Sequence, residues 1–259
     1  MTTALALLAG FLITLFVLPE PSAAIVFGLL AGVMAWEWAG LMSVDRAGRF
    51  FFAGVVLFSC FVAYGDAELL YSKLWVVSAV FWLIVVPIWL WRGWRLASND
   101  MAGYLTGWLL IVPTWAAMVA LQEGNPWWLF GVMGVVWVAD ISAFFAGRAW
   151  GRHKLAPAIS PGKTWEGVGG AVIGVGVYSV IAAQVAGIAP IANLGWAPLL
   201  LALTALSVVG DLFESMIKRQ AGVKDSSQLL PGHGGFLDRL DSQTSMLPLA
   251  ALVLIGLGS

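Results

Sequence analysis

Residues 196–219 read WAPLLLALTALSVVGDLFESMIKR. From Ala197 to Gly210 no residue is charged, and then Asp211, Glu214 and Lys218 follow within two helical turns. An apolar run of this kind is what a helix needs to span a hydrocarbon core ~30 Å thick, about twenty residues at ~1.5 Å each. A charged carboxylate in such a helix costs roughly 2.5–3.5 kcal/mol on insertion scales, so it must face protein, water or a cation. Asp211, Glu214, Ser215 and Lys218 fall at i, i+3, i+4 and i+7 and share one face. Glu214 and Lys218 can neutralise each other at i+4. Asp211 is left deeper and without a partner, which invites a metal ion or a second carboxylate.

The rest of the chain agrees with a bilayer as solvent. Of its 259 residues, 61% are hydrophobic and only 10% charged, and the mean hydropathy is +0.91. A net charge of −1 argues against a nucleic-acid partner. The single cysteine, Cys60, excludes an internal disulfide and reads as a buried, inert thiol. Hydropathy marks nine crossings, near 4–19, 22–42, 50–64, 73–91, 103–121, 126–147, 165–189, 196–217 and 243–258. The spans near 4–19, 50–64 and 243–258 are short, which leaves eight crossings, or one pair of half-spans, as alternatives. The first span lacks a basic leader and is expected to be retained. The expected fold is an all-α polytopic membrane protein with one membrane domain. Within it, helices of 1–125 precede a chemistry-bearing region, 126–259.

Basic residues test that count. Twelve of the thirteen Lys and Arg lie in alternate loops: Arg46 and Arg49; Arg92 and Arg95; Arg148, Arg152, Lys154 and Lys163; Lys218, Arg219, Lys224 and Arg239. Opposite loops hold only Lys73, with Glu20, Asp66, Glu68 and Glu123. The positive-inside rule then places the four basic loops in the cytoplasm and both termini outside. Trp89, Trp91 and Trp94 flank Arg92 and Arg95 as an interfacial belt would. Glu37, between Trp36 and Trp38, lies inside the second span with no motif around it. For it a contact between helices and a functional role stand level.

A second carboxylate source for Asp211 lies in LLPGHGGFLDRLDS, residues 229–242, where Asp238 and Asp241 are spaced i, i+3. Few carboxylates and no nitrogen or sulfur cage suit Mg²⁺, which keeps its waters and binds substrate phosphates. Two histidines and one cysteine without ligand spacing argue against zinc. Gly232, Gly234 and Gly235 let backbone N–H groups approach a phosphate, with His233 or Arg239 as further donors. In ADISAFFAGRAWGRHKLAPAISPGKTWEG, residues 139–167, Asp140, Phe144 and Arg148 share a helical face before Pro157 and Pro161 break the helix. The GKT here is no Walker loop, because position 157 is Pro157. Thr164 fits a helix cap, while Ser160 and Lys163 fit phosphate contacts at the same N-terminus. Gly170 and Gly174 make a GxxxG packing step rather than a dinucleotide fingerprint.

SMIKRQAGVKDSSQLLPGHGGFLDRLD, residues 215–241, resembles the signature of the phosphatidate cytidylyltransferases, also called CDP-diacylglycerol synthases. The resemblance runs through Ser215, Lys218, Arg219, Lys224, Asp225, Pro231, His233, Gly234, Gly235, Asp238, Arg239 and Asp241. Asp140 to Gly147, HKLAPAISPGKTWEG and GDLFES are also similar to the family's blocks. It covers about 137–247; the first hundred residues match only as apolar spans. Ser142, Phe144 and Gly162 depart from the usual pattern, and Gly162 removes a second basic residue there.

The resemblance implies transfer of the cytidylyl group from CTP to phosphatidate for phospholipid biosynthesis. On that basis Asp211 and Asp238 are expected to bind Mg²⁺, with Asp241 and Asp140 as further ligands or supports, and with room for a second cation. Lys218, Arg219, Lys224 and Arg239 are expected to hold phosphates. Ser160, Lys163, Ser215, His233, Gly234 and Gly235 complete the substrate contacts. The implied setting is a bacterial inner membrane with the site facing the cytoplasm, where a homodimer is compatible but not required. The competing readings are a CTP-dependent transferase or kinase for another lipid and, from a different class, an ion-coupled transporter.

Overall fold

The computed structural model describes residues 2–96, 101–187 and 195–256. Within the described residues each of the nine expected stretches is helical, while 188–189 and 257–258 of the expected spans lie outside them. The helices are α1 (Thr2–Phe16), α2 (Glu20–Leu41), α3 (Arg46–Gly65), α4 (Ala67–Val80), α5 (Val86–Arg92), α6 (Met101–Gly124), α7 (Pro126–Trp150), α8 (Trp165–Val185), α9 (Ala197–Gln220) and α10 (Leu237–Ala251); α4 and α5 share one stretch. A π-helical turn, Phe81–Val85, joins α4 to α5 in one continuous crossing, and another, Leu252–Gly256, extends α10.

Seven of these stretches are long and apolar enough to cross a membrane. Helix α1, with 15 residues, is only ~22 Å long at ~1.5 Å per residue, short of a core ~30 Å thick. That length bears on the expected topology. An odd number of crossings puts the two ends on opposite sides, so nine crossings and two outward termini exclude each other. An outward N-terminus requires that α1 does not cross.

Local sequence explains where helices start. Asp45 accepts from the Gly48 N–H at 3.1 Å to cap α3, and Asn125 accepts from Trp127 N–H at 2.9 Å to cap α7, followed by Pro126. Thr164 caps α8 through the Gly167 N–H at 3.1 Å, as expected. Helix α7 ends at Trp150 with Gly151 as its C-cap, ahead of both prolines expected to break it. Lys154–Ala156 and Ser160–Thr164 pair as a small antiparallel hairpin, β1 and β2, which the sequence did not announce. The Glu166 carboxylate accepts the His153 N–H at 3.2 Å and meets its Nδ1 at 2.6 Å, pinning the hairpin to the start of α8.

Helix α6 is the hub of the bundle, buried along most of its length between α2, α3, α4 and α10. Trp38 of α2 donates Nε1–H to the Gly103 carbonyl at 2.8 Å, and Thr114 Oγ1 reaches the Thr244 carbonyl of α10 at 3.2 Å. Helices α7 and α8 form the other closely packed pair. A Cβ on Gly170 or Gly174 would run into Ala146 or Ser142 of α7, so the small-residue step is a helix interface. Cys60 is buried.

The tryptophans near Arg92 divide. Trp91 and Trp94 are exposed, consistent with an interfacial belt. Trp89 is instead buried against Phe213 of α9, with centroids 5.5 Å apart, and donates Nε1–H to the Trp94 carbonyl at 2.9 Å. It belongs to the core, not the belt. Gln220, at the end of α9, donates Nε2–H to the Trp94 carbonyl at 2.8 Å and accepts the Leu96 N–H through Oε1 at 3.1 Å.

Candidate active site

Helices α9 and α10 pack so closely beside Asp211 that a Cβ on Gly210 would lie 2.8 Å from the Asp241 carbonyl oxygen. The two acid-bearing stretches therefore meet. They are joined by Lys218, whose ammonium lies 3.0 Å from Glu214 Oε1 and donates to Asp238 Oδ1 at 2.7 Å. The expected i+4 pair is present, but Lys218 also spans to the next helix. Glu214 is 1% exposed, and among the described residues neither of its oxygens has a hydrogen-bond partner, so the ion pair with Lys218 is what compensates its charge there.

The other oxygen of Asp238 is equally occupied. Oδ2 accepts the Ser226 N–H at 2.8 Å, the Ser226 hydroxyl at 2.9 Å and the Gly235 N–H at 2.8 Å. Asp238 thus ties α9 to the turn between the two helices. Gly232 and Gly234 take left-handed backbone angles, φ +74° and +77°, which exclude most other residues. Gly235 has a different reason to be glycine: a Cβ there would collide with the carboxylate of Glu37 and the hydroxyl of Ser226.

Glu37 arrives from α2, 1% exposed. It accepts the Ser227 hydroxyl at 2.6 Å, the Phe236 N–H at 3.1 Å, the Leu237 N–H at 2.7 Å and, more weakly, the Ser226 hydroxyl at 3.3 Å. Its negative charge therefore sits on the N-terminus of α10, where unpaired N–H groups and the helix dipole favour it. The contact between helices weighed for Glu37 is real, and its counterpart is the glycine-rich turn. Sequence reading missed Ser226 and Ser227. The only available signal was a solitary carboxylate in an apolar helix, which implies a partner without naming it.

Asp211 lies on the other side of this arrangement. It is not without a partner, as its spacing implied. Lys163 of the hairpin reaches Asp211 Oδ2 at 2.5 Å, and the Ser215 hydroxyl donates to Oδ1 at 3.1 Å. Lys163 and Asp211 border a cavity of about 460 Å³ lined also by Asp140, Phe144, Arg148 and Ser160, among others. Asp140, Phe144 and Arg148 share the α7 face read from the sequence. Asp241 accepts the N–H of Ser242 at 2.7 Å.

The remaining candidates lie at the end of α9, in the turn after it and at the start of α10, and none of them lines the cavity. Arg219 donates Nη1–H to the Val223 carbonyl at 3.2 Å, and His233 Nδ1 lies 3.3 Å from the Pro231 carbonyl. Arg239 and Lys224 are exposed. Among the described residues no three His, Cys, Asp or Glu side chains form a ready metal cage. The donor chemistry nevertheless suits Mg²⁺: the acids lining the cavity are carboxylates, with no thiol or imidazole among its lining. Such a cation needs one or two protein carboxylates when substrate phosphates and water supply the rest.

Fold and site together define a polytopic integral membrane protein whose carboxylates and lysines converge between α7, the hairpin, α9 and α10. Similarity narrows this class. The chain belongs to the cytidylyltransferase family, which matches residues 1–256. It is 39% identical to a phosphatidate cytidylyltransferase of Pseudomonas aeruginosa, over 99% of this chain and 96% of that protein. A phosphatidate cytidylyltransferase of Haemophilus influenzae is 35% identical over 95% and 94% of the two chains. One from Brucella abortus is 43% identical over 58% of this chain and 53% of its own.

Proposed function

We propose that this chain transfers the cytidylyl group of CTP to phosphatidate, forming CDP-diacylglycerol and pyrophosphate for phospholipid biosynthesis. The observation that carries this reading is the cavity in which Lys163, Arg148 and Ser160 face Asp140 and Asp211, in a chain of this family. Both reactants are anions, so the barrier is one of positioning and charge neutralisation. A phosphatidate phosphate oxygen attacks the α-phosphorus of CTP. The bond from that phosphorus to the bridging oxygen breaks, and pyrophosphate leaves with the electron pair.

The lipid can remain in the bilayer while CTP enters from water, which requires a site at the membrane boundary. The alternation of basic loops favours the cytoplasmic boundary and, with bacterial relatives, an inner membrane. Lys163 and Arg148, which line the cavity, are assigned to the triphosphate, and Arg219, Lys224, His233 and Arg239 are assigned to phosphate from the end of α9, the turn after it and the start of α10. Ser160 and Ser215 supply hydroxyl donors, and Gly234 leaves space for backbone approach.

Mg²⁺ would be held from Asp211, supported by Asp140 and Asp241, and would neutralise phosphate charge when bound. It reaches Asp238 only if the Lys218 ammonium leaves Oδ1. As long as Lys218 stays, its role is to hold Asp238 and Glu214 in place.

The test is the full-length protein in phosphatidate-containing vesicles with labelled CTP and an Mg²⁺ titration. CDP-diacylglycerol and pyrophosphate should appear in equal amounts and disappear with EDTA. Vesicles in which another lipid phosphate replaces phosphatidate and reacts faster would reassign the acceptor. No product with either lipid would end the reading.

A further inference from the structure

We infer that Glu37, outside the signature and nearly 200 residues from it in sequence, is a positioning residue for the transfer reaction. The inference rests on the function proposed above. It stands on where the four donors come from. Ser226 and Ser227 lie in the connection that follows α9, ahead of the glycine-rich stretch, whereas Phe236 and Leu237 end the connection and begin α10. One carboxylate therefore closes both ends of a segment that contains Gly232, His233, Gly234 and Gly235.

Its effect passes directly to Asp238. Ser226 has a single hydroxyl proton and lies within reach of both Glu37 Oε2 and Asp238 Oδ2. Leu237, whose N–H Glu37 accepts at 2.7 Å, is the residue before Asp238. Asp238 in turn sets the position of Lys218 at 2.7 Å. The chain of contacts runs from α2 through the turn to the Lys218–Asp238 ion pair, and Lys218 is carried on the same helix as Asp211, with Glu37 itself buried.

An ordinary helix cap would need only the Phe236 and Leu237 N–H groups. The two serine hydroxyls, and a glycine at 235 that leaves no Cβ between Glu37 and Ser226, show that the carboxylate is seated in the turn. Glutamine at position 37 keeps the shape. It offers one acceptor oxygen in place of two and turns an N–H₂ group toward donors. The turn and Asp238 then shift relative to Lys218, and shifts near 1 Å at a reacting site cost about 10²-fold in rate.

The experiment compares parent, Glu37→Gln, Ser227→Ala and the double variant in phosphatidate vesicles. It measures kcat and CTP KM per folded enzyme, with the unfolding midpoint and amide exchange at Phe236 and Leu237. Expected for Glu37→Gln are a fall of about 10²-fold in kcat, little change in KM, and faster exchange at both amides. Ser227→Ala should lose less. The double variant should be no worse than Glu37→Gln alone, because the serine has lost its partner. Parental kcat in the folded Glu37→Gln protein would overturn the inference while leaving the function intact. Additive losses, or a loss matched entirely by the unfolded fraction, would also overturn it. A parent without cytidylyltransferase activity removes both.

Discussion

The two faces of the α9–α10 junction carry similar acids in opposite states. Around Lys218 every charge is locked: Asp238 takes one ammonium and three other donor contacts, Glu214 is sealed from solvent, and Glu37 holds the adjoining turn. Around Asp211 the acids border a cavity, and the compensating cation is a hairpin lysine at its edge. On the function proposed above, the difference separates acids fully engaged by protein donors from acids that face open space. Sequence spacing alone made Asp211 and Asp238 look equivalent.

Removing the locked cation should have the largest effect. Lys218→Met leaves Glu214 buried without a countercharge and Asp238 with neutral donors only, a loss of about 3–5 kcal/mol. The expected outcome is a lower unfolding midpoint in detergent together with lost turnover. Equal stability would mean that the junction is less closed than its geometry indicates. Asp211→Asn, on the open face, should reverse this profile. Turnover falls roughly 10²–10³-fold, as for loss of one electrostatic stabiliser, while the unfolding midpoint hardly moves.

Lys163→Ala sharpens the same contrast. It removes one charge-assisted contact to phosphate, worth about 1.5–3 kcal/mol, and should appear mainly as a higher CTP KM. A change in kcat alone would place Lys163 with the reacting atoms rather than with binding. The smallest effect belongs to Thr164→Ala. Loss of the α8 cap costs about 1 kcal/mol and should lower the midpoint with CTP affinity nearly unchanged.

The crossings were legible because hydrocarbon imposes a length and an apolar composition on each helix. The acid face of α9 was legible for a related reason: Asp211, Glu214, Ser215 and Lys218 are local, and helical spacing fixes their direction. What the sequence hid were partners distant along the chain. Lys163 reaches Asp211 only because Lys154–Ala156 and Ser160–Thr164 fold back as a hairpin. Short strands among prolines leave little periodic trace. Glu37 was visible as an anomaly, but nothing in α2 encodes that its donors lie beyond residue 225. Trp89 was misplaced because proximity to Arg92 does not reveal that Phe213 occupies the space behind it.

The Gln220 amide has a consequence of its own. By meeting the carbonyl of Trp94 and the N–H of Leu96, it imitates the edge of a neighbouring strand with a single side chain. Glutamate or lysine of similar reach could satisfy one end of that handshake but not both. Sideways slippage at the end of α9 must therefore drag residues 93–96 along, so the early and late parts of the polypeptide share one mechanical floor.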